Sequence, residues 1–138
     1  MKKIFSTKTS DFNLNLSALT LRLIAGSFML THGVPKLKRL LAGEFQFGDP
    51  IGLGPEVSLG LAVFAEFFCS VLLILGLGTR LASIPLIVTM AVAAFIAHGA
   101  DPFGRKELAL FYLAVYIVIL LLGSGKFSLD YFLMKKKK

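Results

Sequence analysis

The sequence predicts an all-α fold, a transmembrane four-helix bundle. Hydrophobic residues make up 56% of the 138 residues, and the mean hydropathy is +0.79, both high for a soluble domain. Charged residues account for only 17% of the chain and are clustered, which leaves four long apolar runs. Because every backbone amide in hydrocarbon needs a partner within the protein, these runs are predicted to be helices.

The four helices are predicted at about 16–34, 57–77, 81–98 and 107–123, within a single membrane domain that covers residues 1–138. Crossing a bilayer core of about 30 Å takes about 20 helical residues. The short turn at 77–80 makes the second and third helices antiparallel neighbours. Residues 35–55 mix charged and apolar side chains, which predicts an amphipathic segment on the membrane surface.

The distribution of lysine and arginine predicts that both termini face the cytoplasm. With four crossings, the termini and the second loop share one side, which carries nine basic residues against five on the other. The nine are Lys2, Lys3, Lys8, Arg80, Lys126 and Lys135–Lys138, and the five are Lys36, Lys38, Arg39, Arg105 and Lys106. The net charge of +7 therefore suits anionic lipid head groups, and no nucleic-acid partner is predicted.

Several chemistries are excluded by the composition. The single cysteine, Cys69, allows neither a disulfide within the chain nor a Cys-rich metal site, and it is interpreted as a small apolar core residue. The glycine pairs at 52–54 and 76–78 do not continue as phosphate-binding loops. No catalytic triad can be recognised, so the catalytic residues stay unknown.

Arg22 and Glu66 are charged residues within predicted membrane helices. A charge near the bilayer centre costs at least about 2.5 kcal/mol on insertion scales, so each needs a partner. Their distances from the outer ends of their helices agree to within about a turn, which predicts an Arg22–Glu66 ion pair. That pair could fix the register of the helices or form one wall of a polar pocket. Nearby Gly26 and Gly33 would permit close helix approach.

Four further side chains are candidates for ligand binding. Tyr112 and Tyr116 share one face of the fourth helix, and either phenol could donate a hydrogen bond to Glu66. His32 and His98 both end helices on the outer side, where they could be solvated caps or axial ligands. The histidine pattern is too weak to predict a metal.

The ordered set of polar motifs resembles the DoxX family of small bacterial membrane proteins with four helices. The similar stretches span about Leu16 to Asp130. They are Arg22–Phe28 with His32–Leu37, Ala65-Glu66, Leu75–Ala82, His98, Glu107 and Gly125–Asp130.

The resemblance implies a helical bundle in the bacterial inner membrane, with Arg22, Glu66, Arg80 and Glu107 among its characteristic polar positions. Some relatives look like membrane subunits of oxidoreductases, including a quinone-linked thiosulfate oxidoreductase and a complex for oxidative-stress defence. The hypothesis is therefore an accessory or quinone-interacting subunit of a membrane redox complex, with quinone as the possible cofactor. The alternatives are a non-enzymatic scaffold or assembly factor, and a small transporter acting as a homo-oligomer.

Overall fold

The computed structural model describes residues 6–136, and every regular element within that range is helical, which confirms the all-α fold. The helices are α1 (Asp11–Leu41), α2 (Pro55–Leu75), α3 (Thr79–Ala97), α4 (Phe103–Leu122) and α5 (Leu129–Lys135). Four of the lysines that decide the predicted orientation, Lys2, Lys3, Lys137 and Lys138, lie outside the described residues.

The first helix is longer than predicted and includes Pro35. Ser10 caps its start by accepting a hydrogen bond from the Asn13 amide at 3.2 Å. Lys38 and Arg39 lie in its last turn, where they complement the negative end of the helix dipole. Proline removes only one backbone donor, and membrane helices tolerate it when neighbouring groups compensate. The predicted surface segment is therefore wrong in its first third, since α1 continues through residue 41.

The helices α2 and α3 each contain a π-helical turn, at Phe64–Cys69 and at Ala93–Ala97. Such turns often occur at functional sites. Between these helices the chain reverses at Gly76 and Gly78, whose φ angles are +68° and +58°. Glycine adopts this left-handed conformation without steric cost, so α2 and α3 are antiparallel neighbours as predicted.

The bundle has a buried interior and an apolar exterior. Its core contains Cys69, as predicted, among alanines, methionines, leucines and two tyrosines; the members are Ala25, Met29, Ala65, Cys69, Leu73, Ala82, Leu86, Met90, Tyr112, Tyr116 and Ile119. Large apolar side chains also point outward from all four long helices, such as Phe28, Phe64, Phe95 and Phe111. Outward phenylalanines on every helix are expected when lipid, not water, surrounds a protein.

Three helices, α1, α2 and α3, are long and apolar enough to cross a membrane. The fourth predicted crossing, α4, has 20 residues, but Arg105, Lys106 and Glu107 are its third to fifth residues. Its uncharged part, Leu108–Leu122, extends about 22 Å at 1.5 Å per residue. The fourth crossing therefore stays a prediction.

Candidate functional site

The buried Glu66 forms an ion pair with the partly exposed Lys36. The carboxylate lies in the π-helical turn of α2 and is 3% exposed, while the side chain of Lys36 is 25% exposed. The Lys36 ammonium donates hydrogen bonds to both carboxylate oxygens. A carboxylate removed from water needs such a partner, because the uncompensated charge is strongly unfavourable in a low-dielectric interior.

The predicted Arg22–Glu66 ion pair is wrong. Arg22 is completely buried, but its Nη2 donates to the Phe127 carbonyl oxygen at 2.6 Å. Its Nε and Nη1 have no hydrogen-bond partner among residues 6–136. Gly33 is the residue of α1 opposite Glu66, and Arg22 lies eleven residues before it. Eleven helical residues extend about 16 Å, so Arg22 is too far along α1 to pair with Glu66. The predicted depths of Arg22 and Glu66 in the membrane agreed only because α1 was predicted to end at residue 34, whereas it ends at Leu41.

The register of α1 against α2 follows from two glycines, as their small size predicted. A Cβ atom at Gly33 would lie 2.5 Å from the Glu66 carbonyl oxygen, and one at Gly26 would lie 3.1 Å from the Ser70 carbonyl oxygen. At Gly33 a Cβ atom would require the α2 backbone to move, and small residues of this kind permit helices to approach closely. Lys36 follows Gly33 by three residues, so it lies on the same face of α1 and reaches Glu66.

A cavity of about 460 Å³ lies beside this ion pair, between α1, α2, α3 and the loop at 42–54. Lys36 and Glu66 contribute its charged wall, and Ser58 and Thr89 contribute hydroxyl groups. The rest of the wall is largely apolar; it includes Phe47, Pro50, Ile51, Leu61, Ala62, Val88, Val92, Ala93 and Ala97. Mostly apolar cavities with a few polar groups are typical of small-molecule sites.

The loop that covers the cavity is held to α2 by Asp49. Its carboxylate accepts hydrogen bonds from the amides of Leu53 and Gly54, at 2.9 and 3.0 Å, and from the Ser58 hydroxyl at 2.9 Å. Partial removal from water acts to raise the pKa of Asp49, but these hydrogen bonds together lower it below its ordinary value. Asp49 therefore remains ionised at neutral pH and holds the loop in place.

The two predicted histidines have different surroundings. His98 lies at the edge of the cavity, and its Nδ1 is 2.8 Å from a carboxylate oxygen of Asp101. This hydrogen bond, with the charge of Arg105, lowers the pKa of Asp101. His32 instead packs edge-on against Tyr112, with 6.3 Å between ring centroids. Within residues 6–136, no three His, Cys, Asp or Glu side chains are grouped as a metal site.

Tyr112 and Tyr116 are stacked on each other in the core, with ring centroids 5.8 Å apart. Neither lines the cavity, and the buried Tyr116 hydroxyl has no hydrogen-bond partner among the described residues. The predicted hydrogen bond from a phenol to Glu66 is therefore absent from the described part of the chain. Glu107 is exposed in the second turn of α4, and Arg80 lies at the start of α3, at the opposite end of the bundle.

The end of the bundle opposite the cavity is organised by Asp130. We call this end the terminal side, since it contains the Gly76–Gly78 turn and residues 123–136. The Asp130 carboxylate accepts hydrogen bonds from the amides of Gly78 and Thr79, at 2.7 and 3.2 Å. Its own amide donates to the Gly76 carbonyl oxygen at 2.9 Å. The segment after α4 is thereby bound to the start of α3.

We expect Asp130→Ala to lower the free energy of unfolding by about 1–2 kcal/mol, because the first amides of α3 would lose their capping acceptor. The measurement is thermal unfolding in detergent, followed by circular dichroism. Asp11→Ala is the control, since the Asp11 side chain is 86% exposed and its carboxylate is 3.5 Å from the Lys126 ammonium; such surface pairs contribute little. Equal stability of the two variants would contradict the capping role of Asp130.

These features together define a class of protein. The protein has helices that are long and apolar enough to cross a membrane, phenylalanines on its outer surface, and charges paired within the bundle. These features describe a multi-pass helical membrane protein. The DoxX family profile matches residues 17–99, which is more than half of the chain. The chain belongs to the DoxX family.

Two relatives cover most of this chain. An uncharacterized protein of Haemophilus influenzae is 33% identical over 127 residues, covering 84% of this chain and 90% of its own length. An uncharacterized membrane protein of Mycobacterium tuberculosis is 28% identical over 145 residues, covering 87% of this chain and 83% of its own. No solved structure matches significantly. The second of these relatives supports membrane residence.

Proposed function

We propose that the cavity beside Lys36 and Glu66 binds the head group of a lipid-soluble quinone, and that the chain serves as an accessory subunit of a membrane oxidoreductase system. The observation that carries this proposal is an ion pair between the partly exposed Lys36 ammonium and the buried Glu66 carboxylate, in the wall of an otherwise largely apolar cavity of about 460 Å³. A quinone ring needs flat apolar walls and donors for its two carbonyl oxygens. This cavity offers both.

The donors come from two side chains, Lys36 and Thr89. The Lys36 ammonium has three hydrogens, and its hydrogen bonds to the two Glu66 oxygens leave one for a quinone oxygen. The hydroxyl of Thr89 lies on another helix that lines the cavity, whereas the Ser58 hydroxyl already donates to Asp49. In this proposal Glu66 exchanges protons with the quinone oxygens, and electrons come from a partner protein, since the chain has no cysteine pair of its own.

The position of the cavity suits a ligand that arrives through the bilayer. Leu61 and Val88 belong to its wall and are themselves about half exposed, at 48% and 56%. Both lie on faces that contact lipid in a membrane protein, so an apolar ligand could enter between α2 and α3. In this proposal the terminal side of the bundle faces the cytoplasm, and the bundle lies in a bacterial inner membrane. The lysine and arginine distribution predicts this orientation.

The experiment measures quinone that remains bound to the protein through purification from native membranes. We expect wild-type protein in mild detergent to contain more quinone, relative to phospholipid, than the membrane it came from. Ala93→Phe and Thr89→Phe should reduce this to background, because both positions line the cavity and a benzyl group would fill part of it. Lipid extraction followed by chromatography gives the amount.

Ile84→Phe is the matched control, since Ile84 is exposed on α3 and lies outside the cavity. It should retain as much quinone as the wild type. Background amounts in the wild type across several detergents would contradict quinone binding, and they would favour the scaffold, which requires protein partners but no bound small molecule. Equal retention in Ala93→Phe and Ile84→Phe would show that the quinone binds elsewhere.

A further inference from the structure

A second cavity, of about 360 Å³, lies on the terminal side of the bundle. It is an open depression between the start of α3 and the loop that follows α4, with Thr79, Arg80, Ser124 and Asp130 among its lining residues. The apolar helices α2 and α4 end at this level and α3 begins there. In a membrane the cavity therefore lies near the lipid head groups.

Arg80 provides an uncompensated positive charge at this cavity. It takes part in none of the ion pairs between residues 6–136. Three atoms of its guanidinium lie 3.3–3.6 Å from the place where a Cβ atom at Gly123 would be. The guanidinium of this exposed residue thus lies beside the backbone at the end of α4, and Gly123 leaves room for it. An exposed guanidinium at the level of the head groups is suited to bidentate contact with a phosphate.

The one acidic residue of the cavity is already engaged. Asp130 accepts hydrogen bonds from the first amides of α3, and its charge interacts favourably with the buried Arg22. The two positive charges of Arg22 and Arg80 therefore exceed the one negative charge of Asp130. The Thr79 hydroxyl is buried without a hydrogen-bond partner among the described residues, and Ser124 provides a second hydroxyl.

We infer that this cavity binds the phosphate of an anionic phospholipid head group, with Arg80 as its main contact. Basic pockets between membrane helices at the head-group level recognise lipids in this way. The start of α3 does not contribute as an anion site, because Asp130 occupies its free amides. The inference is independent of the quinone cavity, which lies at the other end of the bundle.

The experiment compares lipid retention in nanodiscs that contain phosphatidylglycerol and phosphatidylcholine, using native mass spectrometry of the released protein. We expect the wild type to retain phosphatidylglycerol preferentially. Arg80→Gln should lower that retention about fivefold, the change expected for one basic residue near an anionic lipid. Lys8→Gln, which removes one charge from the same side of the bundle outside the cavity, should leave the retention unchanged.

Ser124→Asp provides a second test that does not depend on Arg80, since it places a negative charge in the cavity and should also lower retention. Equal retention in the wild type, Arg80→Gln and Ser124→Asp would overturn the inference and leave Arg80 as a cap for the end of α4. Displacement of the lipid by millimolar inorganic phosphate would also overturn it, because the cavity would then be a site for a soluble phosphate compound.

Discussion

Gly33→Ala is expected to lower the free energy of unfolding by about 2–3 kcal/mol, since overpacking of a closed interface typically costs 1–3 kcal/mol. The added methyl carbon would lie 2.5 Å from the Glu66 carbonyl oxygen and 2.6 Å from its carbonyl carbon. Both are backbone atoms, which cannot move aside as a flexible side chain can. The helices α1 and α2 would have to separate where Lys36 meets Glu66, so quinone retention should fall as well.

The control for this prediction is Gly60→Ala, in α2. A Cβ atom at Gly60 would meet nothing within 4 Å, so the higher helix propensity of alanine should make that variant neutral or up to about 1 kcal/mol more stable. Unfolding can be followed with a thiol-reactive fluorophore, because Cys69 is the only cysteine and is 1% exposed in the folded protein. Equal midpoints for the two alanine variants would contradict the close approach at Gly33.

The sequence was sufficient to predict the helices because long uncharged runs have few alternatives in hydrocarbon. It was insufficient to locate the end of α1. Pro35 and the basic residues after it resemble a helix stop, yet a proline costs a membrane helix little when its neighbours compensate. The spacing of Gly26, Met29, Gly33 and Lys36 is the signal that indicates continuation, because all four lie on one helical face.

The partner of Glu66 depended on that helix end. A helix that stops at residue 34 leaves Lys36 in a loop, and Arg22 is then the only cation within the predicted spans. A helix that continues to residue 41 places Lys36 one turn beyond Gly33, opposite Glu66. Tyr112 and Tyr116 illustrate the same limit, since their shared face was predictable but its orientation toward the core, away from the cavity, depends on the packing of α4.

The cavity itself was beyond local sequence patterns. Its cover is the loop at 42–54, which Asp49 connects to Ser58 on α2, and its far wall comes from α3. Contacts between residues that are distant in sequence leave no periodic signal. The two π-helical turns, which contain Glu66 and Ala93, are a rare form of helix that local sequence patterns likewise did not predict.

Lys36→Met is expected to lower the free energy of unfolding by about 3–5 kcal/mol, the range measured when one partner of a buried ion pair is removed. The variant keeps the length and apolar stem of the side chain but leaves the Glu66 carboxylate, 3% exposed, without a counter-charge. Glu66→Gln should cost less, since Lys36 is 25% exposed and its ammonium can reach water by rotating its flexible stem.

The double variant Lys36→Met with Glu66→Gln shows whether the two residues stabilise the fold as an ion pair or contribute independently to the free energy of unfolding. Because it removes both charges, it should be more stable than Lys36→Met alone, so that the two single effects do not add. Thermal and chemical unfolding, followed through the labelling of Cys69, give the three differences. Additive effects within about 0.5 kcal/mol would contradict the pair. An Arg22→Met variant whose loss is rescued by Glu66→Gln would instead restore Arg22 as the partner of Glu66, and the cavity would lose its charged wall.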